Sequence, residues 1–174
     1  MTRNTENKAV PSRVDLISRL KLAISESNVE KLNASLEEIA QYNKLELKEA
    51  NGKPKKLYFA TMQNLTTDRL SPIHEAQTTE IANILLKAYK AENAYVKISD
   101  VKNREGQTAL QAAKNNEVAA FFLKEEVAEK IKQLSNERNI TAAETYEDKI
   151  YQTIMPLLQG HPNAFFGIIK KMGG

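Results

Sequence analysis

The chain has 174 residues, a length for one domain or for one domain with an appendage. With 41% apolar and 27% charged residues it is no disordered chain, and six Gly and five Pro are too few for a turn-rich β-sandwich or a doubly wound sheet. The lack of Cys removes disulfides, zinc ribbons, iron–sulfur clusters and thiol nucleophiles, and a net charge of +3 is too balanced for a dedicated nucleic-acid binder.

Residues 1–12 are polar and aperiodic, and are expected to form a flexible tail. The first eight hold no apolar run of a secretory signal, and export, if any, would use a route without a cleavable one. Ser12 then caps a helix with Val14, Leu16, Ile17, Leu20, Ala23 and Ile24 on its apolar face. Ser27-Asn28-Val29-Glu30 fits a capping box opening a second helix, with Val29, Leu32, Leu36, Ile39 and Ala40 as its buried stripe. The two make an αα-hairpin.

Asn51-Gly52-Lys53-Pro54 predicts a turn. Leu57 to Met62 is short and apolar, and period alone does not settle helix against strand. Ser71-Pro72 predicts a helix start with a capping hydroxyl. Ile73, Ala76, Ile81, Ile84, Leu85 and Ala88 fit one helix to Lys90, or two with a break near Thr78-Thr79. A polar connection with Tyr95, Val96, Ile98 and Val101 leads to Gly106, after which Thr108 caps another helix. A long helix follows Asn115-Asn116 to about Asn136, with Val118, Phe122, Leu123, Val127, Ile131 and Leu134 inward. Thr141 to Glu144 is a further capping box, opening a helix with Tyr146, Ile150, Ile154, Leu157 and Leu158 inward. Pro156 is a candidate kink. A turn at Gly160-His161-Pro162 leads to a last helix with Phe165, Ile168, Ile169 and Met172. The longest unbroken apolar stretch, Val118 to Leu123, is too short to span a bilayer, so no membrane insertion is expected.

Residues 71–87 (SPIHEAQTTEIANILLK) align without a gap on residues 108–124 (TALQAAKNNEVAAFFLK), at an offset of 37. Ala76/Ala113, Glu80/Glu117, Ala82/Ala119, Leu86/Leu123 and Lys87/Lys124 are identical. Self-similarity at such a period suggests stacked helical units. On these residues the chain resembles the ankyrin-repeat family, whose mark is T-P-L-H-x-A after a turn with Gly two residues upstream. Ser71-Pro72-Ile73-His74-Glu75-Ala76 and Gly106-Gln107-Thr108-Ala109-Leu110-Gln111-Ala112-Ala113 carry the match. Leu20 to Ala23 with Asn28 to Leu32 looks like a degenerate first unit. The sequence departs from the pattern where Arg69 stands for Gly and Gln111 for His, and where both later units are three residues short between their helices. Residues 51–62 also fit the first helix of a different second unit, and both registers stay open.

Capping signals and helical periodicity imply an all-α fold, and residues 127–174, which match nothing in the repeat, are read as a C-terminal helical cap. The resemblance implies a short ankyrin-like stack of antiparallel helix pairs over 13–126. It implies that the His bonds neighbouring turns and that the hydroxyls cap. It also implies a protein–protein interaction module that binds, sequesters or inhibits a protein partner through turn tips and exposed first-helix sides. Those are Arg69, Glu75, Thr78, Lys102, Asn103, Arg104, Glu105, Gln107, Gln111 and Asn115. The polar side chains of the Lys102-Asn103-Arg104-Glu105 tip are expected to be dispensable for folding. The chain is expected to be a monomer alone.

No catalytic, metal or cofactor site is expected. His74-Glu75 begins H-E-x-x-H, but position 78 is Thr. Glu37-Glu38, Glu125-Glu126 and Glu144/Glu147/Asp148 read as solvated faces among Lys and Arg. Lys53, Lys55 and Lys56 make a local basic turn, read mainly as a solubilising loop. Lys- and Asn-rich composition associates with an AT-rich bacterial genome. The expected place of action is therefore cytoplasmic, or a host cell to which an effector is delivered. The alternative from another class is an enzyme using Tyr146, Tyr151, His161 or Asn163 in the C-terminal segment.

Overall fold

A computed structural model describes residues 9–58 and 71–136. Within them the fold is all-α. The helices are α1 (Arg13–Ser25), α2 (Val29–Lys44), α3 (Thr79–Glu92) and α4 (Asn116–Asn136), with short 3-10 helices at Pro72–Glu75 and Ile98–Asp100. Extended pairing among the described residues is confined to one antiparallel bridge, Lys48 with Pro54.

α1 starts where Ser12 accepts from the Asp15 N–H at 3.1 Å, with Asp15 against the positive end of the helix. It ends in a Schellman-type closure: the Asn28 N–H returns to Ala23 O at 3.0 Å, and Ser27 takes a positive φ of 50°. Ser27 is therefore a helix terminator. The cap of α2 is Asn28, which accepts from the Lys31 N–H at 2.9 Å, so the expected Ser27 capping box is corrected. Arg19 on α1 pairs with Glu38 on α2 across the hairpin.

The buried stripes differ from those expected at their edges. α1 buries Leu16, Ile17, Leu20, Ala23 and Ile24, but Val14 is 72% exposed. At about 100° per residue, Val14 lies roughly 60° beyond the edge of that stripe. α2 buries Leu32, Ser35, Ile39 and Tyr42, with Ala40 outside. Small Ser35 takes a place in the contact that hydrophobicity alone does not assign to it.

After α2 the chain turns back through a hairpin. Lys55 N donates to Leu47 O, Glu49 N to Lys53 O and Gly52 N to Glu49 O. Asn43 then clamps the Leu57 backbone from both sides, donating to its carbonyl at 2.9 Å and accepting its N–H at 2.7 Å. This seats Leu57 in the core within irregular chain, so residues 54–58 are not the start of a helix.

Ser71-Pro72 opens one turn of 3-10 helix, not an α-helix. The Ser71 hydroxyl does not cap it, but lies 3.4 Å from the Tyr89 hydroxyl. The chain breaks at Ala76-Gln77, and Thr78 caps α3 by accepting the Ile81 N–H at 3.2 Å. In the second copy, Thr108 and Gln111 form a reciprocal capping box around a single turn. That turn stands in place of the expected helix. Asn115 then caps α4 through the Val118 N–H at 3.0 Å.

The repeat is structural as well as textual. Ile73/Leu110, Ile81/Val118, Ala82/Ala119, Leu85/Phe122 and Leu86/Leu123 are all buried, each pair 37 residues apart. α1 packs on α2 and on the first 3-10 helix, α2 on α3, and α3 on α4, and the elements share one core. Fully burying each large apolar side chain contributes on the order of 1.5–3 kcal/mol, and this core packing outweighs the individual caps. α4 runs unbroken through the expected boundary at 126/127. The side chains of Ile131 and Leu134, the register at residues 59–70 and every assignment in 137–174 lie outside the described residues, as do residues 1–8 of the expected 1–12 tail.

Candidate functional site

The clearest surface feature is the tip between the two copies. Asn103 N donates to Gln107 O at 2.9 Å, and Gly106 N to Asn103 O at 3.0 Å. Gly106 has φ +76°, a left-handed conformation that glycine adopts without steric cost. The hairpin tip Glu49–Lys53 repeats this bond pattern, with Gly52 at φ +81°. Asn51-Gly52 already marked that turn in the sequence. Its likeness to the later tip is shown only by the bonds.

The ten expected contact residues separate by what holds them. Asn103 and Gln107 lock the tip: Asn103 Oδ1 accepts the Gln107 N–H at 2.9 Å, and its Nδ2 donates to Gln107 Oε1 at 3.1 Å. Their side chains therefore serve the fold, contrary to the expectation of a dispensable polar tip. Gln111 belongs to the Thr108 capping box, and Thr78 and Asn115 cap α3 and α4. Glu75 pairs with Lys114 at 3.2 Å. Lys102, Arg104 and Glu105 are exposed, and neither a hydrogen bond nor an ion pair ties their side chains down among the described residues. Arg69 lies outside the described residues.

Three bonds stitch the first copy to the second. His74 Nε2 donates to Gln107 O at 2.9 Å, Asn115 Nδ2 donates to Gln77 O at 2.8 Å, and Lys114 reaches Glu75. The roles of Lys114 and Gln77 were not read from the sequence, since both look like solvated surface residues there. His74 is 2% exposed, and burial holds its pKa below 6.5 against the opposing pull of the Gln107 carbonyl, Glu75 and Glu105. Its Nδ1 is buried with no hydrogen bond. This is a neutral imidazole bridging two turns.

Beside the tip lies a second buried titratable group. Glu126 is 1% exposed, and neither carboxyl oxygen has a well-formed hydrogen bond. Burial, then Glu129, raises its pKa from 4.5 to about 7, while Lys102 and the nearby Thr108 hydroxyl oppose the shift only weakly. Glu129 is itself engaged, taking the Ile98 N–H at 2.6 Å and the Ser99 hydroxyl at 3.2 Å.

Next to Glu75, an open groove of about 410 Å³ is bordered by Lys21, Leu22, Ser25 and Gln77, with Leu22 51% exposed. Among the described residues no group of three or more His, Cys, Asp or Glu could hold a metal ion, and no helix is long and apolar enough to cross a membrane. Tyr146, Tyr151, His161 and Asn163 lie outside the described residues. Compared with family models, curated proteins and solved structures, the chain matches none.

Proposed function

We propose that the chain is a divergent ankyrin-like module that binds a protein partner and sequesters or inhibits it, with no chemistry of its own. The observation that carries this reading is the tip at residues 102–107. Its backbone is locked by Asn103 and Gln107, and it presents Lys102, Arg104 and Glu105 without a bond of their own. A tip whose backbone is already locked loses little backbone freedom on binding, so the ordering cost is confined to the free side chains. The His74 bridge between turns and the 37-residue correspondence of buried positions support the family assignment. The open groove beside Glu75 continues the proposed surface along the first elements of successive units.

The proposed setting is the bacterial cytoplasm, or a host cell to which the chain is delivered as an effector. Affinity purification from the native organism, with lysine-directed cross-linking and mass spectrometry, tests the reading. A stoichiometric protein partner cross-linked at Lys102 or Lys114 is the expected result. Recovery of the chain with no partner, or cross-links confined to Lys31 at the start of α2, would refute it.

A further inference from the structure

The hairpin after α2 carries an unbalanced charge. Between Lys44 and Lys56 stand five lysines and two glutamates, an excess as large as the +3 of the whole chain. Elsewhere cations are often matched: Arg19 with Glu38, Lys31 with Glu26, Lys90 with Glu125 and Lys114 with Glu75. In the hairpin, the side chains of Lys48, Lys53, Lys55 and Lys56 have no such match, and Glu49 is already held by Arg13 at 3.2 Å.

These residues border a groove. An open cleft of about 390 Å³ is lined by Arg13, Glu49, Lys53, Pro54, Lys56 and Tyr58. Tyr58 is 43% exposed, so much of its ring is free to be covered. Arg13 Nε is buried and makes no hydrogen bond, leaving a guanidinium that is only partly satisfied by Glu49. The cleft thus joins three cations, a proline and an exposed aromatic ring on one shallow surface.

We propose that this groove receives an acidic segment of a protein partner, with carboxylates on Lys53 and Lys56 and one apolar or aromatic side chain against Tyr58 and Pro54. The proposal rests on the reading of the chain as a protein-binding module and names the chemistry of one partner segment. Unmatched lysines supply charge complementarity, which steers association and weakens with salt. A ring beside the charges adds contact area that charge alone does not give. A nucleic acid is the poorer fit, because a net charge of +3 over the whole chain is too small for the many phosphate contacts that such binding needs.

The test is a titration of the full chain with a labelled peptide of Glu residues around a central Trp. A Ser/Gln peptide of equal length, polyuridylate and phosphatidylserine vesicles serve as comparisons. Binding of the acidic peptide that weakens at least about tenfold in Lys53→Glu/Lys56→Glu, and severalfold in Tyr58→Ser, with circular dichroism unchanged, is expected. Equal binding by the charge-reversed protein, or tighter binding of polyuridylate or vesicles, would overturn it. If the peptide fails while a native partner still depends on Arg104, the groove proposal alone falls. If the peptide binds as expected but no native partner depends on the 102–107 tip, the tip falls and the groove stands.

Discussion

Glu126 stands 37 residues after Tyr89, at the matching buried position of the second copy. In the first copy the Tyr89 hydroxyl meets Ser71, whereas in the second a carboxyl faces Thr108 without a well-formed bond. A carboxyl whose pKa is raised from 4.5 to about 7 binds a proton more readily in the folded state. Its stabilising contribution is complete below pH 4.5 and is lost as pH rises through 7. His74 has the opposite sign: its pKa is depressed below 6.5, so stability is lost as pH falls below 6.5. Between 6.5 and 7 the loss at Glu126 stands without that opposition. The melting temperature of the parent should fall from pH 6.5 to 7.5, and Glu126→Gln should flatten that slope. Parallel melting profiles for the two proteins would show that the carboxyl does not titrate in the folded protein. Lys102 offsets the Glu126 charge, so Lys102→Glu should lower melting more at pH 8 than at pH 6. Arg104→Glu carries no such coupling and should stay within about 0.5 kcal/mol of the parent. Ser27, with φ 50°, is a simpler case. Ser27→Gly removes a left-handed strain of about 1–2 kcal/mol, partly offset by the greater freedom of glycine when unfolded, so denaturant melts should show unchanged or slightly raised stability.

At the scale of elements, Asn115 does two things with one side chain. Its Oδ1 caps α4 and its Nδ2 reaches Gln77 O in the preceding unit. Thr78 caps α3 through the Ile81 N–H. Removing a cap costs about 1 kcal/mol, and the second bond adds a similar amount. Asn115→Ala should therefore destabilise more than Thr78→Ala in urea melts. Asn115→Asp keeps the cap acceptor but loses the donor to Gln77, and should fall between the parent and the alanine variant. Equal losses for both alanine variants would reduce Asn115 to a cap. The caps at Ser12 and Thr108 were legible in the sequence, because each precedes an apolar run at helical spacing, whereas Thr78 and Asn115 were expected on the partner surface and turn out to cap α3 and α4. The helical character of the turns was not legible. Ser71-Pro72 promises an α-helix by local chemistry, yet only one 3-10 turn forms before Ala76-Gln77 breaks it. Ser27 looked like a cap because its hydroxyl and Glu30 have the right spacing, but the closure of α1 claims its backbone first.

At the scale of the molecule, the all-α class followed from the scarcity of turn residues and the apolar periodicity, and the structure has it. The 37-residue offset gave the buried pairs, because equal neighbours at equal spacing pack alike. The stripe edges at Val14, Ser35 and Ala40 were missed, since the edge depends on which neighbour covers it and not on hydrophobicity alone. Of the candidate surface, the tip was legible from Asn103 and Gly106. The division of labour within it was not: Asn103 and Gln107 face each other, and among the described residues Lys102, Arg104 and Glu105 are left without a hydrogen bond or ion pair. Arg is a frequent anchor in protein interfaces, and a reversed rim charge alone mainly alters association rate and its salt dependence. The most direct measurement is the affinity of the purified native partner for the parent and for Arg104→Glu at one ionic strength, with melting temperatures recorded alongside. Binding at least about tenfold weaker at an unchanged melting temperature is expected. Equal affinity in two proteins that melt alike would contradict the assignment of partner binding to this tip.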